Sequence, residues 1–287
     1  MSSSVIAQSI VNGLMSGWIY ILVALGLTLV LSITGIVMLA HGEIYMIGAY
    51  VAYFFAVILG LNFFFAIVAS MILVGGLGIV IERFLFRRLR HDLDRALILA
   101  ISLIIGLQTV VVLLSGTSST LSIPSPIQGV VAFAGFRLSW ERVITIIVSV
   151  VLVSILLFFV HRTKMGQAML AVSQDSEAAA LQGIKINRVY STAMFLGCAL
   201  AAAAGALVGA IFSLTPHMGS LAMTKGIAAI ILGGLGSIWG VIIGGLILGL
   251  IDGVIPPLLS VHMADIIGFI VIIVILLVRP QGLLGHE

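Results

Sequence analysis

The amino-acid sequence predicts an all-α protein, a polytopic transmembrane bundle of eight or nine helices in which residues 1–287 form one domain. Of the 287 residues, 62% are hydrophobic and only 8% are charged, whereas a soluble domain carries about 25% charged residues. So few charges cannot cover a surface that faces water. Several uninterrupted apolar stretches also approach the roughly 20 residues that carry a helix across a bilayer, and the alternating pattern of a β-barrel is absent.

Six apolar stretches in the first three quarters of the chain predict the first six spans. Each stretch is free of Asp, Glu, Lys and Arg over a length close to that of a membrane-crossing helix. Segments with glycine, polar or basic residues separate them. In chain order the predicted spans are Ile6–Ile33, Ile44–Leu61, Phe63–Ile81, Ala96–Leu114, Val143–Val160 and Val189–Leu214.

The next apolar stretch, Met223–Pro256, is too long for one span. It is interrupted by Gly233-Gly234-Leu235-Gly236-Ser237, and glycine is a poor helix former. Two short helices, or one span with a re-entrant piece, both fit this stretch. The final span is predicted at Met263–Val278, which brings the total to eight or nine.

The basic residues predict the orientation, because short cytoplasmic loops carry an excess of Lys and Arg. Five arginines lie in the loop 83–95, four basic residues lie in or beside a polar insert at about 162–188, and Arg279 lies in the tail. The loop Ser115–Trp140 holds one arginine and is expected outside. The N-terminus is then also outside, and an even number of crossings between Arg188 and Arg279 favours nine spans.

The sequence lacks the motifs of the main enzyme classes. No lysine follows a glycine, so there is no phosphate-binding P-loop. A dinucleotide-binding fingerprint that began at Gly234 would need a third glycine where Trp239 stands. The single cysteine, Cys198, allows neither a disulfide nor a cysteine metal site. We therefore expect no catalytic residue, no metal and no cofactor in this chain, and the few clustered basic residues do not indicate a nucleic-acid partner.

Ionisable residues at membrane depth are functional candidates, because inserting each one costs about 2.5–3.5 kcal/mol. His41 and Glu43, at the start of the second span, are candidates for a translocation pathway or a gate, as are Lys225 and Asp252. The alternatives are structural ion pairs for the charged residues and a hydrogen-bonded structural histidine for His41. Uncharged polar residues form a weaker set of candidates, Asn12, Thr28, Gln108 and Thr109.

Three glycines spaced four residues apart, Gly236, Gly240 and Gly244, predict a smooth helical ridge that another helix can approach closely. Packing within this chain is the simpler interpretation, and an interface with another subunit is the alternative.

The polar insert 162–188 predicts two short helices. Asp175 or Ser176 can cap the second helix, with Glu177 in the first turn, where the helix dipole favours a carboxylate. Gly183 can end it. An apolar stripe is expected on helical turns, and small alanines are expected to face outward, where they would let the helix seat in a groove of another protein. An ordinary connector is the alternative. The stripe comprises Met165, Met169, Val172, Ala179, Ala180, Leu181 and Ile184.

Two sets of residues resemble a known family of transporters. Glu177-Ala178-Ala179 followed by Gly183 resembles the opening of the "EAA" loop of ABC importer permeases, a loop that forms the coupling helix seated on the ATPase subunit. The segment 40–50, the run 233–245 together with Lys225, and the tail 280–285 resemble the branched-chain amino acid permeases of the LivH type. The resemblance extends over nearly the whole chain, from about Ile6 to Gly285.

The resemblance implies a transport subunit without an ATPase site of its own. Its solutes would be branched-chain amino acids or related small polar or carboxylate solutes, and the coupling residues would be Ser176, Glu177, Ala178, Ala179, Ala180 and Gly183. The implied partners are a second, LivM-like permease (or a second copy of this chain), two ABC ATPase subunits that hold ATP and Mg²⁺, and a periplasmic binding protein. The setting would be the lipid of a bacterial inner membrane.

Two other functions remain open at this point. A passive channel or an ion-coupled secondary transporter would move solute without any ATPase. A membrane-embedded enzyme would need a catalytic cluster that the sequence does not contain.

Overall fold

The computed structural model describes residues 3–90, 92–115, 121–127, 129–133 and 136–285, and it confirms the all-α prediction. The helices are α1 (Ser3–Thr34), α2 (His41–Tyr53, extended by a π-helical turn Phe54–Ile58), α3 (Phe63–Phe84, followed by a 3-10 turn Phe86–Leu89), α4 (Leu93–Ser115), α5 (Trp140–Arg162), α6 (Lys164–Gln174), α7 (Ser176–Leu181), α8 (Ile186–Gly209), α9 (Met218–Gly233), α10 (Ile238–Val254) and α11 (Val261–Val278).

Seven of the described helices are long and apolar enough to cross a membrane, namely α1 to α5, α8 and α11. The shorter apolar helices α9 and α10 fill the stretch for which two interpretations were open. They form an antiparallel pair, since Gly233 faces Gly240 while Ala229 faces Gly244. The glycine-rich break between them therefore produces two short helices, as one of the two interpretations predicted.

A short β-hairpin lies in the loop before α5, where only irregular structure was expected. Strand β1 (Val130–Phe133) pairs antiparallel with β2 (Phe136–Ser139), and Val130 is opposite Ser139. The strands are rich in valine and phenylalanine, which favour extended structure. Their shortness explains why composition alone did not distinguish them from the loop.

The centre of the bundle is built from small residues that let helices approach closely. In α8 the residues from Cys198 to Leu207 are buried, and six of these ten are alanine. A Cβ atom added to Gly48 of α2 would lie 2.2 Å from the Cα of Ala202 in α8. Such contacts supply the van der Waals packing that holds membrane helices together, because lipid provides little hydrophobic driving force between them.

The three predicted packing glycines divide between a turn and a helix. Gly236 has a φ of 83° and lies in the turn before α10, so the prediction that it belongs to a helical ridge was wrong. The break needs a left-handed residue there, a conformation that glycine adopts without strain. Gly240 and Gly244 lie on α10 and pack on the backbone of α9. Within this chain, both glycines therefore serve internal packing.

The basic segments meet at one end of the bundle, which we call the basic end. Arg90, after α3, donates to Asn187 at the start of α8 over 2.8 Å. In the tail, Leu283 N–H donates to the carbonyl of Leu232 at the end of α9 over 3.0 Å. Residues from α1, α5, α6 and the start of α10 line one cavity of about 60 Å³ near this end. The loop after α4 lies at the opposite end, where Ile123 N–H donates to the Gly209 carbonyl.

Helix α2 begins inside the bundle instead of at its basic end. After α1 ends at Thr34, the segment 35–40 turns back, and the His41 ring packs against Gly26 of α1. Gly26 is eight residues before Thr34, which corresponds to about 12 Å along the helix axis. The first turn of α2, with its polar residues, is therefore placed in the interior.

Candidate functional site

A buried polar cluster surrounds the first turn of α2. His41 and Glu43 are both buried. The amide nitrogen of Gln108, on α4, donates to one carboxylate oxygen of Glu43 over 2.9 Å. The other oxygen of Glu43 is buried without a hydrogen-bond partner among the described residues. Since a buried polar atom without a partner is costly, this cluster is suited to meet water or a polar solute.

The start of α9 meets the start of α2 at this cluster. A Cβ atom on Gly42 would lie 2.4 Å from the carbonyl oxygen of Gly219, so the two backbones are in direct contact. Neither Ala40 nor His217, the residues that precede the two helices, makes a side-chain capping bond. Two helix N-termini without side-chain caps thus meet in one interior region, where the positive ends of their dipoles favour groups with negative charge.

A second polar cluster joins three helices through Lys225 of α9. Its ammonium group contacts Asp252 of α10 and Asp265 of α11, each at 2.8 Å. The hydroxyl of Tyr20 on α1 donates to Asp252 over 2.7 Å. Lys225 and Asp252 are largely buried, with 16% and 15% of their side chains exposed. The cluster holds two carboxylates against one ammonium group, so both acids depend on the same lysine for an ion pair.

The polar insert folds into α6 and α7 at the basic end. Asp175 caps α7 by accepting hydrogen bonds from the N–H groups of Glu177 and Ala178, both at 2.9 Å. Gly183 has a φ of 83°, which confirms the left-handed residue expected after the helix. Gly166 fixes α6 to α5, because a Cβ there would lie 2.3 Å from the carbonyl oxygens of Phe159 and Val160. Movement of the insert would therefore carry the end of α5 with it.

The orientation of α7 differs in part from the expected apolar stripe. Met169, Val172 and Ala179 are buried as members of that stripe. Leu181 is 91% exposed and Ala180 is also exposed, so the prediction that they join the stripe was wrong. Ala179 is only 4% exposed, so it does not belong to the outward alanine surface. The helix is only six residues long, and its rotation is set by the cap at Asp175 instead of by a long apolar face.

A family model with the description "Branched-chain amino acid transport system / permease component" matches residues 9–276. The chain belongs to this family.

Relatives in this permease family match almost end to end. The chain is 35% identical over 295 aligned residues to "High-affinity branched-chain amino acid transport system permease protein LivH" of Escherichia coli K12, covering 97% of this chain and 95% of that protein. It is 28% identical to the permease protein LivM of the same transport system and strain, covering 93% of this chain and 68% of LivM. The predicted resemblance to LivH-type permeases is therefore confirmed.

A solved structure shares the fold of this permease. PsaBC from Streptococcus pneumoniae, in complex with Fab, superposes with a TM-score of 0.50 over 94% of this chain and 91% of that chain. The two sequences are 17% identical, so the comparison concerns the fold alone. Together with the apolar helices, the family places this chain among multi-pass membrane proteins.

The structure brings together some candidate residues that the sequence singled out separately. Lys225 and Asp252 are in direct contact, as are Glu43 and Gln108. Asp265 and Tyr20 were missed, although both belong to the Lys225 cluster. The signal for Asp265 was its position among the apolar residues of the last span, where a carboxylate needs a partner. Nothing in the sequence around Tyr20 indicated its contact.

Proposed function

We propose that this chain is the membrane permease subunit of an ABC importer that moves branched-chain amino acids, or a related small polar or carboxylate solute, driven by ATP hydrolysis on separate subunits. The membership in the permease family over residues 9–276 carries the proposal. The names of the LivH and LivM relatives supply the solute class.

In this proposal, the insert is the contact with an ATPase. Helix α7 stands at the basic end with Glu177, Ala178, Ala180 and Leu181 exposed, so it offers a small docking surface. Helix α6 lines the same cavity as α1, α5 and the start of α10. Because α7 directly follows α6, a displacement of α7 can be transmitted through α6 to Gly236 and Ile238, at the α9–α10 turn. Ser176 and Gly183 set the two ends of the docking segment, the latter by its left-handed conformation.

The proposed pathway runs past the interior start of α2. His41 and Glu43 are buried beside two helix N-termini, and one carboxylate oxygen of Glu43 has no partner in the described part of the chain. Transporters commonly bind solutes where helices begin inside the membrane, since the positive ends of the helix dipoles attract anionic groups of the solute. The two helix N-termini suit the carboxylate of an amino acid, and Glu43 suits its ammonium group.

Lys225 and Asp252 are proposed to act as a gate. The ion pairs join α9, α10 and α11, so rearrangement of the α9–α10 hairpin requires them to stretch or exchange. Asp265 is the more exposed acid, with 47% of its side chain accessible, and it is the partner that can be released to water most easily.

The proposed assembly has further subunits in a bacterial inner membrane. A LivM-like permease, or a second copy of this chain, would complete the pathway. Two ATPase subunits would bind ATP and Mg²⁺ at the basic end, and a periplasmic binding protein would dock at the opposite end. No cofactor, metal or nucleic acid is assigned to this chain in the proposal.

Reconstitution tests this function. The chain is co-expressed with candidate partner subunits, placed in proteoliposomes with the binding protein, and assayed for uptake of radiolabelled leucine with and without ATP inside. We expect uptake only when ATP and both ATPases are present. Equal uptake by liposomes that contain the chain alone would support a channel or an ion-coupled transporter and would overturn the proposal.

A further inference from the structure

A basic groove lies at the basic end, outside the two polar clusters and apart from α7. It occupies about 590 Å³ between the last turns of α3 and the first turns of α8, and Met165 of α6 closes one side. Arg83 and Arg87 line it from α3 and the 3-10 turn that follows, and Arg188 and Thr192 line it from α8. Three guanidinium groups therefore converge on one open groove.

The groove carries more positive charge than the protein balances. Glu82 is buried and contacts both Arg87, at 2.7 Å, and Arg90. Arg83 and Arg188 have no ion pair with a carboxylate anywhere in the described residues. Of these four arginines, Arg87 and Arg90 share the single carboxylate of Glu82, and the exposed Arg83 and Arg188 have no ion-pair partner in the described part of the chain.

Glu82 also fixes the positions of the guanidinium groups that contact it. Arg87 donates to Glu82 with two nitrogens and to the hydroxyl of Ser191 over 3.0 Å. Arg90 is turned away from the groove, stacked on the ring of Tyr190 with 4.1 Å from its guanidinium carbon to the ring centroid. The groove therefore has a pre-ordered wall at Arg87 and two free arginines beside it.

An apolar strip continues from the groove along α3 toward the middle of the membrane. Residues 72, 76, 79 and 83 fall on one face of α3 by their spacing. Ile72 is 58% exposed. A Cβ added to Gly76 would meet nothing within 4 Å, so the surface there is open. Arginines at the end of a span and exposed apolar residues along it form one continuous amphipathic surface.

We propose that this groove binds an anionic phospholipid. The phosphate would lie between Arg83 and Arg188, with Arg87 behind it, and one acyl chain would follow Ile79, Gly76 and Ile72. Guanidinium groups bind phosphate oxygens in pairs of parallel hydrogen bonds, which makes arginine suited to this ligand. The acidic surface of a soluble protein would satisfy the arginines but would leave the apolar strip uncovered.

A bound lipid would connect three elements at once. The headgroup would touch α3, α8 and the start of α6, so it would stiffen the base of the insert. This inference does not depend on the proposed solute or on the ATPase, because it rests on the charges and exposed surface of this chain alone.

The experiment measures lipid binding by the full chain in detergent. A fluorescent phosphatidylglycerol is titrated into the purified protein, with phosphatidylcholine and inorganic phosphate as separate ligands. We expect saturable binding of phosphatidylglycerol, much weaker binding of phosphatidylcholine, and no competition by inorganic phosphate at similar concentrations. Arg83→Gln and Arg188→Gln should each weaken phosphatidylglycerol binding about fivefold, since one basic residue near an anionic lipid is worth about that factor.

Arg88→Gln is the matched control, because Arg88 belongs to the same 3-10 turn, is exposed, and does not line the groove. It should leave the affinity unchanged. Gly76→Trp tests the acyl strip without altering charge, and we expect it to weaken lipid binding while the protein stays monodisperse. Equal losses in Arg88→Gln and Arg83→Gln would mean diffuse attraction only and would overturn the site. Unchanged lipid affinity in Arg83→Gln and Arg188→Gln, with lost retention of co-expressed ATPases, would assign the groove to a protein partner instead.

Discussion

Lys225 and Asp252 are 27 residues apart in the chain, yet the ammonium nitrogen of Lys225 lies 2.8 Å from the carboxylate of Asp252. The same nitrogen lies 2.8 Å from Asp265. One lysine therefore forms ion pairs with carboxylates from two other helices.

Lys225→Met should destabilise the protein by more than the loss of one ion pair would. Removing the lysine leaves two carboxylates without a cation, and breaking such a buried pair costs on the order of 3 kcal/mol. The measurement is the thermal unfolding midpoint of the detergent-purified protein. Lys225→Met combined with Asp252→Asn should recover part of the loss, and Arg95→Gln, which breaks an exposed pair with Asp92, should have little effect. A Lys225→Met variant as stable as the wild type would contradict the inference that this cluster stabilises the fold.

Glu43→Gln should impair transport while leaving the fold intact. The substitution keeps the shape of the side chain and an oxygen that can accept from Gln108, but it removes the charge beside the two helix N-termini. We expect normal purification and at least tenfold lower uptake in the reconstituted system, because the proposed contact with a solute ammonium is lost. Gln108→Ala is the companion variant, since it removes the neighbour and keeps the carboxylate. Full uptake by Glu43→Gln would remove Glu43 from the pathway.

Substitutions on the exposed face of α7 should uncouple the chain from its ATPase. Ala180→Trp enlarges an exposed position of the docking surface, and Glu177→Lys reverses its charge. Both should reduce retention of co-expressed ATPase through purification, with normal membrane insertion. Ala179→Trp is the contrasting variant, because Ala179 is buried within this chain and its enlargement should also lower the unfolding midpoint.

Gly183→Val tests the end of the same helix. A β-branched residue with a φ near 83° is strained by roughly 1–2 kcal/mol, so the end of α7 should fray. We expect weaker ATPase retention, and Gly183→Asn should be milder because asparagine tolerates this conformation better. Identical behaviour of the valine and asparagine variants would show that the left-handed turn does not matter for docking.

The contact between α2 and α8 gives a stability test with a close control. Gly48→Ala should be strongly destabilising, because the new methyl group would collide with the backbone of Ala202. Gly76→Ala lies on an exposed helix face with open space, so it should be neutral or stabilise by up to about 1 kcal/mol. Thermal unfolding of the two variants in parallel checks the close approach directly, and equal midpoints would refute it.

The orientation of the chain in the membrane can be determined by labelling single cysteines in a Cys198→Ser background. Cys198 is buried and its sulfur faces Gly78, so the smaller serine oxygen should be tolerated. Cysteines placed in the loop 83–95 should react with an impermeant thiol reagent only from the cytoplasmic side, and those in the loop 115–140 only from outside. The opposite labelling would invert the topology.

Local patterns in the sequence predicted the helices well because each span is a continuous apolar run. The predicted first span, Ile6–Ile33, differs from Ser3–Thr34 by three residues at one end and one at the other. The glycine run at 233–237 correctly marked the break between α9 and α10. A continuous apolar run does not indicate, however, how deep within the bundle a helix begins. The interior start of α2 at His41 was therefore not predicted.

The residues that sequence patterns assigned wrongly or did not single out have one feature in common. The environment of each depends on distant parts of the chain or on its neighbours in the fold. Asp265 joins the Lys225 cluster across 40 residues, and no local spacing encodes that contact. Gly236 matched a four-residue repeat but lies in a turn, since the repeat began one residue before the α10 cap. Leu181 was assigned to a buried stripe, yet the cap at Asp175 fixes the rotation of a helix too short for its apolar face to decide.

The interior position of α2 also bears on how the chain is made. Among the seven described membrane-crossing helices, α2 has the lowest mean hydropathy, and it carries Glu43 into the membrane. Its closest packing partner, α8, is synthesised only after α3, α4 and α5 have emerged. During translation α2 is therefore poorly suited to lipid until α8 has been synthesised and packs against it. A ribosome-bound intermediate that ends before residue 186 should consequently hold α2 loosely, exposed to the insertion machinery and to quality-control proteases.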